Sequence, residues 1–74
     1  MKIPQAVITE AQGLIDQYGC HLDYLGKYED RDAYLFVFPD DEETGFPFVY
    51  LYDSKSDFAT EITGFEALNL VDQL

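Results

Sequence analysis

The sequence predicts a single α+β domain over residues 1–74: a helix, a three-stranded antiparallel meander and a C-terminal helix, in two layers. Three observations carry that reading. Apolar residues recur at three- and four-residue spacing between Val7 and Tyr18. Three apolar runs follow, divided by short charged or glycine-containing stretches. Thr63 and Glu66 then form the Thr-x-x-Glu pattern that opens a helix, ahead of a second apolar periodicity.

In the segment IPQAVITEAQGLIDQYG, Pro4 suits the first helical position, where a missing N–H costs nothing. Val7, Ile8, Ala11, Leu14, Ile15 and Tyr18 make one stripe, with Gln5, Glu10, Gln12, Asp16 and Gln17 mainly opposite. Gly13 weakens a helix, and a close approach to the sheet would account for it. Gly19 supplies the stop.

HLDYLGKY alternates as a first strand, with Leu22, Tyr24 and Tyr28 on one parity, and Gly26 marks a bulge. EDRD is a charged turn, and AYLFVFP is the second strand. DDEETG connects it to FPFVYLY, the third, where Pro47 belongs at a strand start or an edge. DFATEI is open to a short fourth strand, with Phe58, Thr60 and Ile62 on one parity. Phe65, Leu68 and Val71, with Ala67, Leu70 and Leu74, give the last helix its apolar residues. The three-strand order resembles that of double-stranded-RNA-binding domains. The basic residues which that family sets against phosphates have no counterpart here, so no family is assigned.

Strands two and three are apolar on both parities. Tyr34, Phe36 and Phe38 alternate with Ala33, Leu35 and Val37; Phe46, Phe48, Tyr50 and Tyr52 alternate with Pro47, Val49 and Leu51. Each strand therefore has an aromatic and an aliphatic side, and a sheet of this kind needs cover on both faces. One arrangement puts a helix on each face or folds the long loops over it. The other leaves one face to a partner, and contiguous exposed apolar area marks interaction sites. The aliphatic side matches the Val, Ile and Leu of the first helix. The expectation is thus an outward aromatic face, with Tyr34, Phe36, Phe48, Tyr50 and Tyr52 binding a protein partner or a second copy in a homodimer.

Composition narrows the function classes. At 47% hydrophobic and 16% aromatic, the chain is too apolar for disorder. Fifteen acidic residues against four basic ones give a net charge of −11, which argues against nucleic acid and anionic membranes as partners. No run reaches the ~18 apolar residues of a membrane span. The opening MKIPQAVITEAQ, broken by Pro4 and Glu10, lacks a signal-like core, so the expected location is cytoplasmic.

One cysteine and one histidine allow neither an internal disulfide nor a Cys/His zinc site. Cys20 reads as a small buried residue and His21 as a solvent-side one. Asp53, Asp57 and Glu61 have the first, fifth and ninth spacing of a calcium loop. Lys55, Phe58 and Gly64 stand where its third ligand, turn glycine and bidentate glutamate belong, so the stretch is a solvated turn. No nucleophile elbow, phosphate loop or two-histidine metal pattern is present, and neither catalysis nor a cofactor is expected. Asp40, Asp41, Glu42 and Glu43 form an acidic patch that suits solvent or a basic partner. The leading reading is a small acidic non-catalytic protein-binding or self-assembly module. The alternatives are an acidic nucleic-acid mimic that inhibits a basic protein, and a sugar- or base-binding protein stacking its ligand on the aromatic face.

Overall fold

The helical spacing before Gly19 produces two short helices rather than one. The computed structural model describes residues 3–38 and 47–74, beginning with α1 (Gln5–Glu10) and α2 (Gln12–Tyr18). Ala11 separates them at φ −89° and ψ 8°, but the hydrogen-bond ladder runs through it: Ala11 N donates to Val7 O and Ile15 N to Ala11 O, both at 2.9 Å. The apolar stripe therefore survives the break. Pro4 caps α1 rather than entering it, and its carbonyl accepts from Val7 N at 3.1 Å. Gly19 ends α2 at φ 95°, a conformation that favours glycine.

Four strands follow: β1 (Leu22–Tyr28), β2 (Arg31–Phe36), β3 (Phe48–Asp53) and β4 (Phe58–Ile62). They pair antiparallel in the order β1-β2-β3-β4, so the fourth strand is formed. The β1–β2 turn is Glu29-Asp30, with positive φ at both residues, the handedness that matches strand twist in a two-residue hairpin. Chain order then closes with α3 (Gly64–Gln73). The α+β class and element order are as the sequence indicates.

The bulge at Gly26 changes one assignment. Register shifts between Tyr24, opposite Tyr34, and Gly26, opposite Ala33. One extra residue reverses parity, so Tyr28 leaves the face shared by Leu22 and Tyr24 and packs on the other. The Thr63–Glu66 pattern also behaves differently from expectation. Gly64 turns the chain at φ 70°, and the extended Thr63 makes no side-chain capping bond.

The helices divide between the two sheet faces. Val7 and Ala11 are buried with Tyr34, Phe36, Tyr50 and Ala59, flanked by Leu14, Ile15, Tyr18 and Phe48. Ala67 and Leu70 of α3 are buried with Ala33, Val49 and Leu51, flanked by Leu25, Tyr28 and Ile62. Aromatic rings thus meet the Val7 and Ala11 stripe of the first helix, and Ala67 and Leu70 of α3 meet the aliphatic face. Close packing without voids, rather than chemical likeness between faces, is what an interior rewards. This corrects the expected outward aromatic face, which had matched aliphatic to aliphatic.

Two glycines with different surroundings test these backbone assignments. Gly13 makes no close approach: a Cβ there meets nothing within 4 Å, so Gly13→Ala should stabilise by about 0.5–1 kcal/mol through helix propensity. Gly26 sits at φ 135°, where the nearest atom to an added Cβ is Leu74 Cδ2 at 3.9 Å. Gly26→Ala should therefore destabilise by about 1–3 kcal/mol from backbone strain alone. Chemical denaturation of the two variants checks both signs.

Candidate functional site

The five residues expected to bind a partner are brought together, but inside the protein. Tyr34, Phe36 and Tyr50 are buried, Tyr50 completely at 0% exposure, and Phe48 and Tyr52 are half-buried. At the α2 end, Phe38 links the rings: its centroid lies 5.2 Å from Tyr18, 5.0 Å from Phe36 and 5.6 Å from Phe48, all edge-on. Such contacts add to the area term and close that end of the face. The docking role assigned to Tyr34, Phe36 and Tyr50 is withdrawn on this geometry, because their surfaces are already occupied. The same enclosure removes them as open stacking platforms for a sugar or base.

Toward the opposite end the aromatic face turns polar, through tyrosine hydroxyls held by carboxylates. Tyr50 OH donates to Glu61 Oε2 at 2.7 Å, Tyr52 OH to Asp57 Oδ1 at 2.6 Å and Tyr24 OH to Asp32 Oδ1 at 3.0 Å. Lys27 Nζ also reaches Asp32 Oδ1, at 3.2 Å. Cross-strand register explains the first bond, since Tyr50 is opposite Glu61. Part of the acidity of this chain is therefore structural: three carboxylates let phenol rings sit at the sheet while their hydroxyls stay bonded.

Each of these tyrosines is harder to ionise than usual. Burial is the main cause for Tyr50, Tyr24 and Tyr34, followed for Tyr50 and Tyr24 by the bonded carboxylate and for Tyr34 by the charge of Asp32. For Tyr52 the hydrogen bond to Asp57 comes first. For Tyr24, Tyr50 and Tyr52 a phenolate would face the carboxylate that the hydroxyl now donates to, and the repulsion holds the proton in place.

The carboxylates with calcium-loop spacing take separate jobs. Asp53 Oδ1 accepts from Lys55 N at 3.0 Å within the turn, while Asp57 and Glu61 hold Tyr52 and Tyr50. Among the described residues, no group of three or more His, Cys, Asp or Glu is placed to hold a metal ion. The acidic patch Asp40, Asp41, Glu42 and Glu43 lies outside the described residues. Cys20, expected to be buried, is exposed with His21, because Gly19 carries the chain away from the helix before β1 begins. A cavity of about 460 Å³ lies beside this dipeptide, lined by Leu22, Asp23, Val37 and Phe38 as well.

Further exposed apolar groups lie on α3 and β4. Phe65 is 74% and Leu68 39% exposed on α3, and Phe58 is 63% exposed at the start of β4. The sequence carries a signal for the α3 pair. Ala67, Leu70 and Val71 already form an i, i+3, i+4 stripe that packs on the sheet. Phe65 and Leu68 fall outside it. Treating all six as one apolar face conceals a second, outward row.

The phenol bonds set an alkaline limit on stability. Above about pH 10 the tyrosines of an unfolded chain ionise while those raised by folding stay protonated, so the folded state binds more protons and stability falls as pH rises. Stability is fully present below that pH. In an absorbance titration of the phenolate band, Tyr50 should ionise last and together with unfolding. Tyr50→Phe should remove that last component, make the alkaline decline shallower and cost about 1 kcal/mol near neutrality.

In comparison with known proteins, the chain matches no protein-family model, no curated protein and no solved structure.

Proposed function

We infer that this chain is a small acidic, non-catalytic protein-binding module whose apolar anchor is the outer row of α3. The observation that carries this reading is Phe65, 74% exposed, with Leu68 one turn on, standing on a helix already seated by Ala67 and Leu70. A large exposed aromatic beside an exposed leucine is the composition of an interface centre, where burial of apolar area drives association. Glu66 and Asp72 border the row and suit a polar rim.

Charge selects the kind of partner. Two copies at −11 each repel, which favours a different protein with a basic rim over a homodimer. Residence in the cytoplasm accords with a single exposed cysteine, since that compartment keeps thiols reduced. Among the described residues, no helix is long and apolar enough to cross a membrane.

The double variant Phe65→Ser/Leu68→Ser tests the reading. Both side chains are exposed, so thermal unfolding should move little. Proteins retained on immobilised wild-type chain from cell extract should be lost with the variant. An identical retained set for both, or a wild-type dimer in sedimentation that the variant abolishes, overturns the assignment to a different protein on this surface.

A further inference from the structure

The two edges of the sheet are built differently. On β1 the pairing register breaks at the Gly26 bulge and Lys27 follows it, two features that discourage a further strand. On β4 none of these devices is present. FATEI has no proline, glycine or lysine, and its five residues pair with β3 in unbroken register from Val49–Ile62 to Asp53–Phe58. Among the described residues, no backbone hydrogen bond reaches β4 other than those from β3. Among the described residues, the outer N–H and C=O groups of β4 form an open row.

The surroundings of that row alternate by parity. Ala59 and Glu61 share the face of Tyr50 and Tyr52, where α1 packs over β3 and β4. Between α1 and the strand edge runs a groove of about 300 Å³ lined by Ala6, Thr9, Glu10, Asp57 and Ala59, with Phe58 at its margin. Asp57 is fixed there by Tyr52, and Glu61 by Tyr50, while Glu10 is near enough for its charge to help keep Tyr50 protonated. The opposite parity is Phe58, Thr60 and Ile62, with Phe58 63% exposed.

We propose that β4 accepts an extended peptide segment from another protein as a fifth strand, with basic side chains on the α1 side and apolar side chains on the α3 side. Main-chain bonds to the open edge supply the attachment, as in other cases of strand addition, and the alternating surroundings supply the selectivity. Lysine or arginine at every second position meets Glu10, Asp57 and Glu61; the residues between them lie against Phe58 and Thr60. A second copy of this chain is the wrong occupant, because β4 pairing with β4 brings two sets of these carboxylates together across one junction. This site is distinct from the outer row of α3 and does not depend on it.

The probe is a synthetic ten-residue peptide alternating arginine and valine, compared with a peptide of the same composition in which the arginines and valines are blocked. The alternating peptide should protect the amides of residues 58–62 from hydrogen exchange and shift the NMR signals of Thr9 and Glu10. Glu10→Gln/Glu61→Gln, which keeps an acceptor for Tyr50, should weaken binding about tenfold with the fold unchanged. Phe65→Ser/Leu68→Ser should bind as the wild type does, so this site and the α3 surface fail or stand separately. Equal binding of the blocked peptide, no added protection on β4, or protection of β4 by self-association without peptide overturns the proposal.

Discussion

Cover for a sheet that is apolar on both faces is the constraint on which this structure depends. β2 and β3 place aromatic rings on one side and small aliphatic groups on the other, and neither set tolerates water well. A chain of 74 residues has little helix to spend on the problem. It divides what it has. α1 and α2 close over the rings, and ten residues of α3 close over the aliphatic side. Because no disulfide assists, the packing of these two clusters holds the fold.

The division of cover governs what remains outside. Once the aromatic face is enclosed, tyrosine hydroxyls along it still need partners, and this is where the acidic residues enter. Asp32, Asp57 and Glu61 accept hydrogen bonds from the hydroxyls of Tyr24, Tyr52 and Tyr50 at the rim of the sheet. The negative charge that keeps copies apart is thus also part of how the aromatic face is finished. At the far side, Ala67 and Leu70 suffice to seat α3, and Phe65 and Leu68 are left facing out. The functional reading moves to α3 and β4 for that reason.

Much of the fold was legible because its signals are local. The stripe from Val7 to Tyr18, the stop at Gly19, the bulge at Gly26 and the alternation of Phe58, Thr60 and Ile62 all report on backbone geometry within a few residues. The choice of outward face was not legible. When both parities are apolar, the two-residue period no longer distinguishes inside from outside, and the answer rests on which helix reaches which face. Matching Val, Ile and Leu to the aliphatic side followed chemical likeness, whereas Val7 and Ala11 pack with the rings, and Ala67 and Leu70 with Ala33, Val49 and Leu51. Tyr28 changed sides because one extra residue in β1 reverses everything after it. Thr63 failed as a cap because Gly64 redirects the chain just beyond it.

The enclosure of the aromatic face within a single molecule is the claim from which the rest follows, and nuclear Overhauser contacts test it most directly. In a dilute sample mixing labelled and unlabelled chains, the methyl groups of Val7 and Ala11 should show strong contacts to the rings of Phe36 and Tyr50, all of them intramolecular. Absence of those contacts, or their appearance only between different chains, would contradict the account and return the rings to the surface.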